Sequence, residues 1–248
     1  AGSTLDQEIR RGTVSTILCK PVDRAVFFFS KFLGVALVIF LFGAMMTLAS
    51  LLAERAAQEP FHTDWWSSGP LLITPLLAFL IGGFINFKTR RAFTSNAFML
   101  LCIGIVVAFI FTGFVDREGH LQSFGAHFSY RLIPASILIT IAVLVIQALA
   151  LALSSRLATG PTLSICGALF LVGLMSDYLF GRVAETNTLA SLCYRIAPNW
   201  QHFWVIDGLN GGGTVPWAYV GHAGLYGLLY IVALLFIGLA AFSNNEIS

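Results

Sequence analysis

His120 and His127 stand seven residues apart beside Asp116 and Glu118, a grouping suited to weak cation binding. Their polar, charged flanks favour the plainer reading of solvated loop side chains. The other histidines (His62, His202 and His222) also fall in polar stretches or near a helix end. No HExxH motif and no Ser/His/Asp grouping falls on the apolar runs, and no GxxxxGK(S/T) loop to cradle a phosphate occurs anywhere. Cys19, Cys102, Cys166 and Cys193 are scattered without a CxxC pair, which favours neither a zinc site nor a disulfide framework. Asp177 is the only acid close to the interior of an apolar run. An acid within a membrane defaults to a functional hypothesis, so Asp177 is a pathway candidate. It also sits at the end of its run, within reach of water. The densest ionic chemistry lies in the opening stretch, where Asp6 and Glu8 precede Arg10 and Arg11. Such a mixture suits salt bridges to a partner rather than bond chemistry.

The elements that position these residues are set by composition. Hydrophobic residues make up 57% of the chain and charged residues 10%, and the mean hydropathy is +0.84. A soluble domain carries about 25% charge, so lipid must be the main solvent here. Crossing a hydrocarbon core of about 30 Å takes about 20 apolar residues. Five uncharged runs meet that test: 32–53, 65–87, 92–115, 132–155 and 157–176. A sixth lies in the uncharged tail at about 218–242. The expected fold is therefore all-α, a polytopic transmembrane helix bundle of about six spanning helices. Pro70 and Pro75 fall inside the second run, where neighbouring helices or water can re-satisfy the freed carbonyls.

Lys and Arg divide unevenly among the loops. With the opening segment inside, the inner regions hold nine of them and four acids, and the outer regions hold five and eight acids. The positive-inside rule then places both termini in the cytoplasm. Localisation in a bacterial-type inner (plasma) membrane is the matching expectation. The net charge of +2 carries no basic patch interleaved with exposed aromatics, so nucleic acid is not an expected partner. The longest outer excursion, 178–216, is rich in Trp and Tyr at its centre, YRIAPNWQHFW, and is expected at the outer headgroup level.

The opening segment, 1–31, reads as a cytoplasmic amphipathic helix followed by an interfacial lead into the bundle of 32–248. Thr4 and Gln7 fit a capping box. Leu5, Ile9, Thr13, Ile17 and Leu18 recur at helical spacing. Gly12 marks a bend or a close approach, and Pro21 stops the helix. Periodicity alone leaves two readings open: a helix resting on anionic lipid, or a helix docked on a partner.

The same residues carry a resemblance. EIRRGT (8–13), LCKPVDR (18–24) and KFLG (31–34) resemble, in this order, the permease subunits of ABC-2 type ABC transporters. In that family a Glu-x-x-x-Gly-Thr segment, a Leu-x-x-Pro-(Val/Ile)-x-Arg stretch and a Gly-Lys-led helix start follow one another. Ser30 stands here in place of the usual glycine. At the far end PNWQHF (198–203), LNGG (209–212), the helix bearing Tyr226 and Tyr230, and the closing Phe242 are similar to the family's last outer segment and last helix. The usual basic ending is replaced by FSNNE (242–246). The matches cover about a quarter of the chain, at its two ends.

The resemblance implies that the opening helix is a coupling helix, seated on a cytoplasmic ABC ATPase subunit. Glu8, Arg10, Arg11, Gly12, Thr13, Pro21 and Arg24 would be its interface residues. ATP and Mg would be bound by that partner rather than by this chain, which would not be an enzyme by itself. A second permease copy would complete a dimer, to which the small residues Gly34, Gly43, Ala44, Gly82, Gly83, Gly167 and Gly173 are suited as close-packing positions. Family members place two spanning helices before the coupling segment and four after it, whereas here six follow. The expectation is that upstream sequence is missing and that 65–87 and 92–115, joined by the KTRR turn, are an inserted pair. The rival reading is a structural or assembly membrane protein whose opening helix lies on the inner leaflet. An intramembrane enzyme is disfavoured for want of buried catalytic groups.

Overall fold

The computed structural model describes residues 23–58, 64–181, 188, 191, 194, 198–209 and 213–243. The segment expected to couple to a partner, with Glu8, Arg10, Arg11, Gly12, Thr13 and Pro21, lies outside them. The chain is an all-α, polytopic membrane-helix bundle. Its elements are α1 (Arg24–Ala57), α2 (Trp65–Thr89), α3 (Phe93–Phe114), α4 (Leu132–Ser154), α5 (Thr159–Leu174), a π-helical turn at Asp177–Gly181, a 3-10 turn at Trp200–Phe203, the short α6 (Ile206–Leu209) and α7 (Trp217–Ser243). Among the described residues the only β pairing is one isolated bridge, Val115 to Leu121.

Five of these helices are long and apolar enough to cross a membrane. The expected spans at 65–87, 92–115, 132–155 and 218–242 match α2, α3, α4 and α7 to within about two residues. Two differ. α1 begins at Arg24, well before residue 32, because Val26, Phe27, Phe28 and Phe29 extend the apolar run across a single lysine. Lys31 is accommodated by placing its ammonium 5.5 Å from the centre of the Phe27 ring, an aliphatic stem on apolar surface with its charge against a π face. The run 157–176 yields the 16-residue α5, about 24 Å long at 1.5 Å per residue and short of the hydrocarbon core. The chain then turns through Met175 and Ser176, where the Leu179 amide bonds the Met175 carbonyl at 2.8 Å, and passes into the π-helical turn.

The helices divide between two compact units, one formed by the chain up to Phe40 and from Ile137 onward, the other by Leu41–Ser136. In the first, Phe28, Leu138, Val145, Ala148, Leu151, Ile231, Leu235 and Phe242 form a buried core together with Trp200 and Phe203. Two close approaches require glycine. A Cβ on Gly238 would lie 2.7 Å from the Phe28 ring and 2.8 Å from the Ala152 Cα. A Cβ on Gly173 would lie 2.3 Å from both the Pro198 carbonyl and the Trp200 ring, so the indole seats directly on α5. Buried Gln147 spans α4 to α1 by donating to the Phe32 carbonyl at 2.8 Å.

In the second unit α2 and α3 form a helical hairpin. Asp64 caps α2 by accepting from the Trp66 and Ser67 amides at 3.0 and 3.2 Å. The other end closes in a tight turn with Arg90 in the left-handed region at φ 54°. Gly82 faces Ala97 closely enough that an added Cβ would meet the Ala97 Cα at 3.1 Å, the small-residue contact that lets membrane helices approach.

Candidate functional site

Of the residues assigned to the ATPase interface, Arg24 is the one within the described residues. It opens α1, where Asp23 accepts from the Ala25 amide through its carboxylate at 2.9 Å. Nη1 of Arg24 donates to the carbonyl of Ser243 at 2.8 Å, the last residue of α7. Arg156, just beyond α4, donates from Nε to the Ala241 carbonyl at 2.9 Å. The final carbonyls of a helix have no partner within it and carry the negative end of its dipole, so two guanidinium groups satisfy both needs. Beneath them Phe27 and Phe28 pack on Phe242, with ring centres 6.1 and 5.9 Å apart. The start of α1, the exit of α4 and the end of α7 are thereby joined at one place. This is where the opening segment feeds into the helices.

At Asp177 the structure assembles a second polar cluster. Asp177 is exposed, and its Oδ1 accepts from the Tyr194 hydroxyl and from the Asn199 side-chain amide, each at 2.9 Å. The Asn199 backbone amide donates to the Tyr226 hydroxyl at 2.9 Å, and its side-chain oxygen caps the 3-10 turn through the Gln201 amide at 2.9 Å. Gln201 in turn donates to the Leu174 carbonyl at 3.0 Å at the end of α5. The hydrogen bond that Tyr194 gives to the carboxylate pushes its hydroxyl pKa up. The geometry is that of a clamp: Asp177 holds Tyr194 and Asn199, and through Asn199 and Gln201 residues 198–203 are tied to α7 and to the end of α5. Asn199 and Gln201 were legible in the sequence only as members of a polar, aromatic stretch, and Tyr226 only as a residue of the last apolar helix.

The third cluster belongs to the second unit and was not singled out by sequence reasoning, which read Arg55 and Asp64 only as loop charges. Their side chains are 0% and 2% exposed and lie 2.9 Å apart. Arg55 also donates to the Val115 carbonyl at 2.7 Å and to the Thr112 carbonyl, while its guanidinium lies 5.8 Å from the centre of the Phe128 ring. Ser67 donates to the second Asp64 oxygen at 3.0 Å, and the Thr112 hydroxyl donates to the Trp66 carbonyl at 3.1 Å. One arginine therefore joins the end of α1, the cap of α2 and the last carbonyls of α3. The surface above it holds Asp116 and His127 at 2.9 Å. The Arg117 amide bonds the Asp116 carboxylate and, with the nearby His127, holds its pKa below the usual value. His120 lies 3.7 Å from Glu118. His120 and His127 thus each face a carboxylate, and among the described residues no three His, Cys, Asp or Glu side chains come together as a metal site would need.

Compared with protein-family models, with curated proteins and with solved structures, the chain finds no match.

Proposed function

We propose that this chain is the membrane-spanning permease subunit of an ABC-2 type exporter, working as a dimer with separate cytoplasmic ATPase subunits that bind ATP and Mg. The observation that carries the reading is the ordered series EIRRGT, LCKPVDR and KFLG, the last of which lies within α1. The contact of Arg24 with the Ser243 carbonyl supports it physically. A force applied to the opening segment reaches α1 along the backbone, past the stiff Pro21, and reaches α7 through the Arg24 guanidinium. Two helices of the bundle then answer to one handle.

In this mechanism ATP binding closes the ATPase pair, the coupling segments of the two permease copies move together, and the helices reorient between inward- and outward-facing arrangements. The chain performs no bond chemistry. Glu8, Arg10 and Arg11 supply the ionic contacts; solvated ion pairs in general contribute about 0.2–1 kcal/mol each, so docking depends on several acting together. The charge asymmetry of the loops supports a cytoplasmic placement of this segment and of the C-terminus in a plasma-membrane-type bilayer.

The test is whether an adjacent reading frame encodes an ATPase with a P-loop and whether that ATPase co-purifies with this chain. Glu8→Ala combined with Arg11→Ala is expected to weaken that complex and to abolish transport-coupled ATP hydrolysis. An unchanged complex with unchanged coupled hydrolysis rejects the proposal and leaves a structural or assembly protein with a surface-bound helix.

A further inference from the structure

The α2–α3 hairpin has no part in the coupling path, yet it carries the densest positive charge among the described residues. Lys88, Arg90 and Arg91 are all exposed, and among the described residues their side chains make no ion pair or hydrogen bond. The turn does not need them. Its backbone groups are satisfied by Asn86, whose carbonyl accepts from the Arg90 amide at 2.9 Å and whose side-chain amide donates to the Arg91 carbonyl at 2.6 Å. Arg90 even occupies a left-handed position that Gly or Asn would adopt more easily. Three cations are thus held within four residues at the end of the hairpin, with no counter-charge of their own among the described residues.

Directly behind this turn lies an apolar cleft of about 190 Å³ lined by Ala78, Phe79, Phe93, Ala97, Phe98 and Leu101, with Thr94 at its edge. The Phe79 and Phe93 rings stand 5.8 Å apart. The small side chains Ala78 and Ala97, both buried, keep the cleft open where the helices approach. From Phe93, two residues past Arg91, to Leu101 the cleft follows α3 for about 12 Å at 1.5 Å per residue. That is most of one leaflet's half of an approximately 30 Å core. Cations at headgroup depth above an apolar slot of leaflet length match the two halves of one ligand.

We propose that the Lys88–Arg91 turn and the cleft behind it form a binding site for an anionic phospholipid, its phosphate on Lys88, Arg90 and Arg91 and one acyl chain along Ala78, Ala97 and Leu101. A basic site beside membrane helices on the cytoplasmic side is the setting in which anionic headgroups are recognised. The cleft explains why lipid is favoured over a soluble anion, which would leave those apolar walls in contact with water. The site belongs to the hairpin alone and does not depend on the transporter reading.

The test uses the purified full chain in detergent, incubated with dioleoylphosphatidylglycerol or dioleoylphosphatidylcholine and assayed for retained lipid by native mass spectrometry. The wild type is expected to retain phosphatidylglycerol over phosphatidylcholine by on the order of tenfold. Replacing the cations together (Lys88→Gln, Arg90→Asn, Arg91→Gln) removes the preference and leaves phosphatidylcholine retention unchanged; asparagine suits the left-handed backbone, so the turn is kept. Thr94→Trp, which crowds the cleft but retains every cation, lowers phosphatidylglycerol retention severalfold. Equal retention of the two lipids by the wild type overturns the proposal. So does a preference that survives the triple replacement, or Thr94→Trp binding like the wild type. A triple variant that keeps its lipid preference but loses a protein partner would mark the turn as a protein contact instead.

Discussion

Arg24 and Ser243 are 219 positions apart in the chain and 2.8 Å apart in space, the guanidinium of the first α1 residue holding the last carbonyl of α7. The contact closes the described helices of its unit from first to last and places the closure where the opening segment arrives.

Arg24→Ala is expected to release the α7 end. The lost interaction of a cation with a helix C-terminus is worth about 0.3–1 kcal/mol at an exposed site, a fall in Tm of no more than about 4 °C. The functional effect should be larger than the thermal one. On the proposed permease reading, substrate stimulation of ATP hydrolysis by an ATPase partner should fall severalfold, with Arg24→Lys intermediate because it keeps charge but not the guanidinium geometry. Thermal unfolding of the purified chain and ATPase assays of the complex measure the two effects.

Arg55→Ala should be the most damaging single change in the second unit. It leaves the Asp64 carboxylate buried without its cation and the Thr112 and Val115 carbonyls without their donor. Breaking a buried pair from one side costs about 3–5 kcal/mol, so Tm is expected to fall by on the order of 10 °C. Asp64→Asn should cost less, since the amide oxygen can still cap α2. A thermal unfolding series on the two variants checks the order.

Gly173→Ala should displace Trp200, because the new methyl would occupy the space of the indole ring and of the Pro198 carbonyl. Overpacking of this kind costs about 1–3 kcal/mol. Trp200 is 2% exposed, so its expulsion should shift tryptophan emission to longer wavelength. The substitution Gly167→Ala, where nothing lies within 4 Å of the added carbon, should leave the emission unchanged.

Asp116 gives a pH dependence of defined sign. Its pKa is lowered from 3.8 in the folded chain, chiefly by the Arg117 amide and with help from His127. A depressed carboxylate contributes stability that is present above the unfolded value and lost as pH falls through the folded one. The 115–131 loop should therefore hold at pH 5 and loosen below about 3.8. Gly119 in that loop sits against the Trp66 ring, which makes Trp66 emission a reporter. Asp116→Asn should remove the acid transition from a pH titration of that emission.

Much of the bundle was legible in the sequence because its cause is additive. Twenty-odd residues without a charge have one low-energy destination in a cell, and α3 and α4 end within one or two residues of the first charge on either side. The departures arise where a charge is tolerated by a specific neighbour. Lys31 does not interrupt α1 because Phe27 lies under its ammonium, and the 157–176 run is cut short where Trp200 and Pro198 press on Gly173. The clamp at Asp177 was half legible: the acid stood out, and its partners did not. Their hydrogen bonds join positions 17 and 22 residues away.

By itself the sequence determined the class of solvent, the places of four long apolar helices to within about two residues and the ionic character of the opening segment, all of which follow from which side chains lipid will accept. Only the tertiary structure decided where the polar groups go. Arg55 and Asp64 look the same in sequence as the exposed charges beside them. They became a buried pair because three helix ends converge there and bring carbonyls from residues 57 and 60 positions away. Burial of a charge depends on the geometry of its partners, and that geometry exists only once the helices have packed.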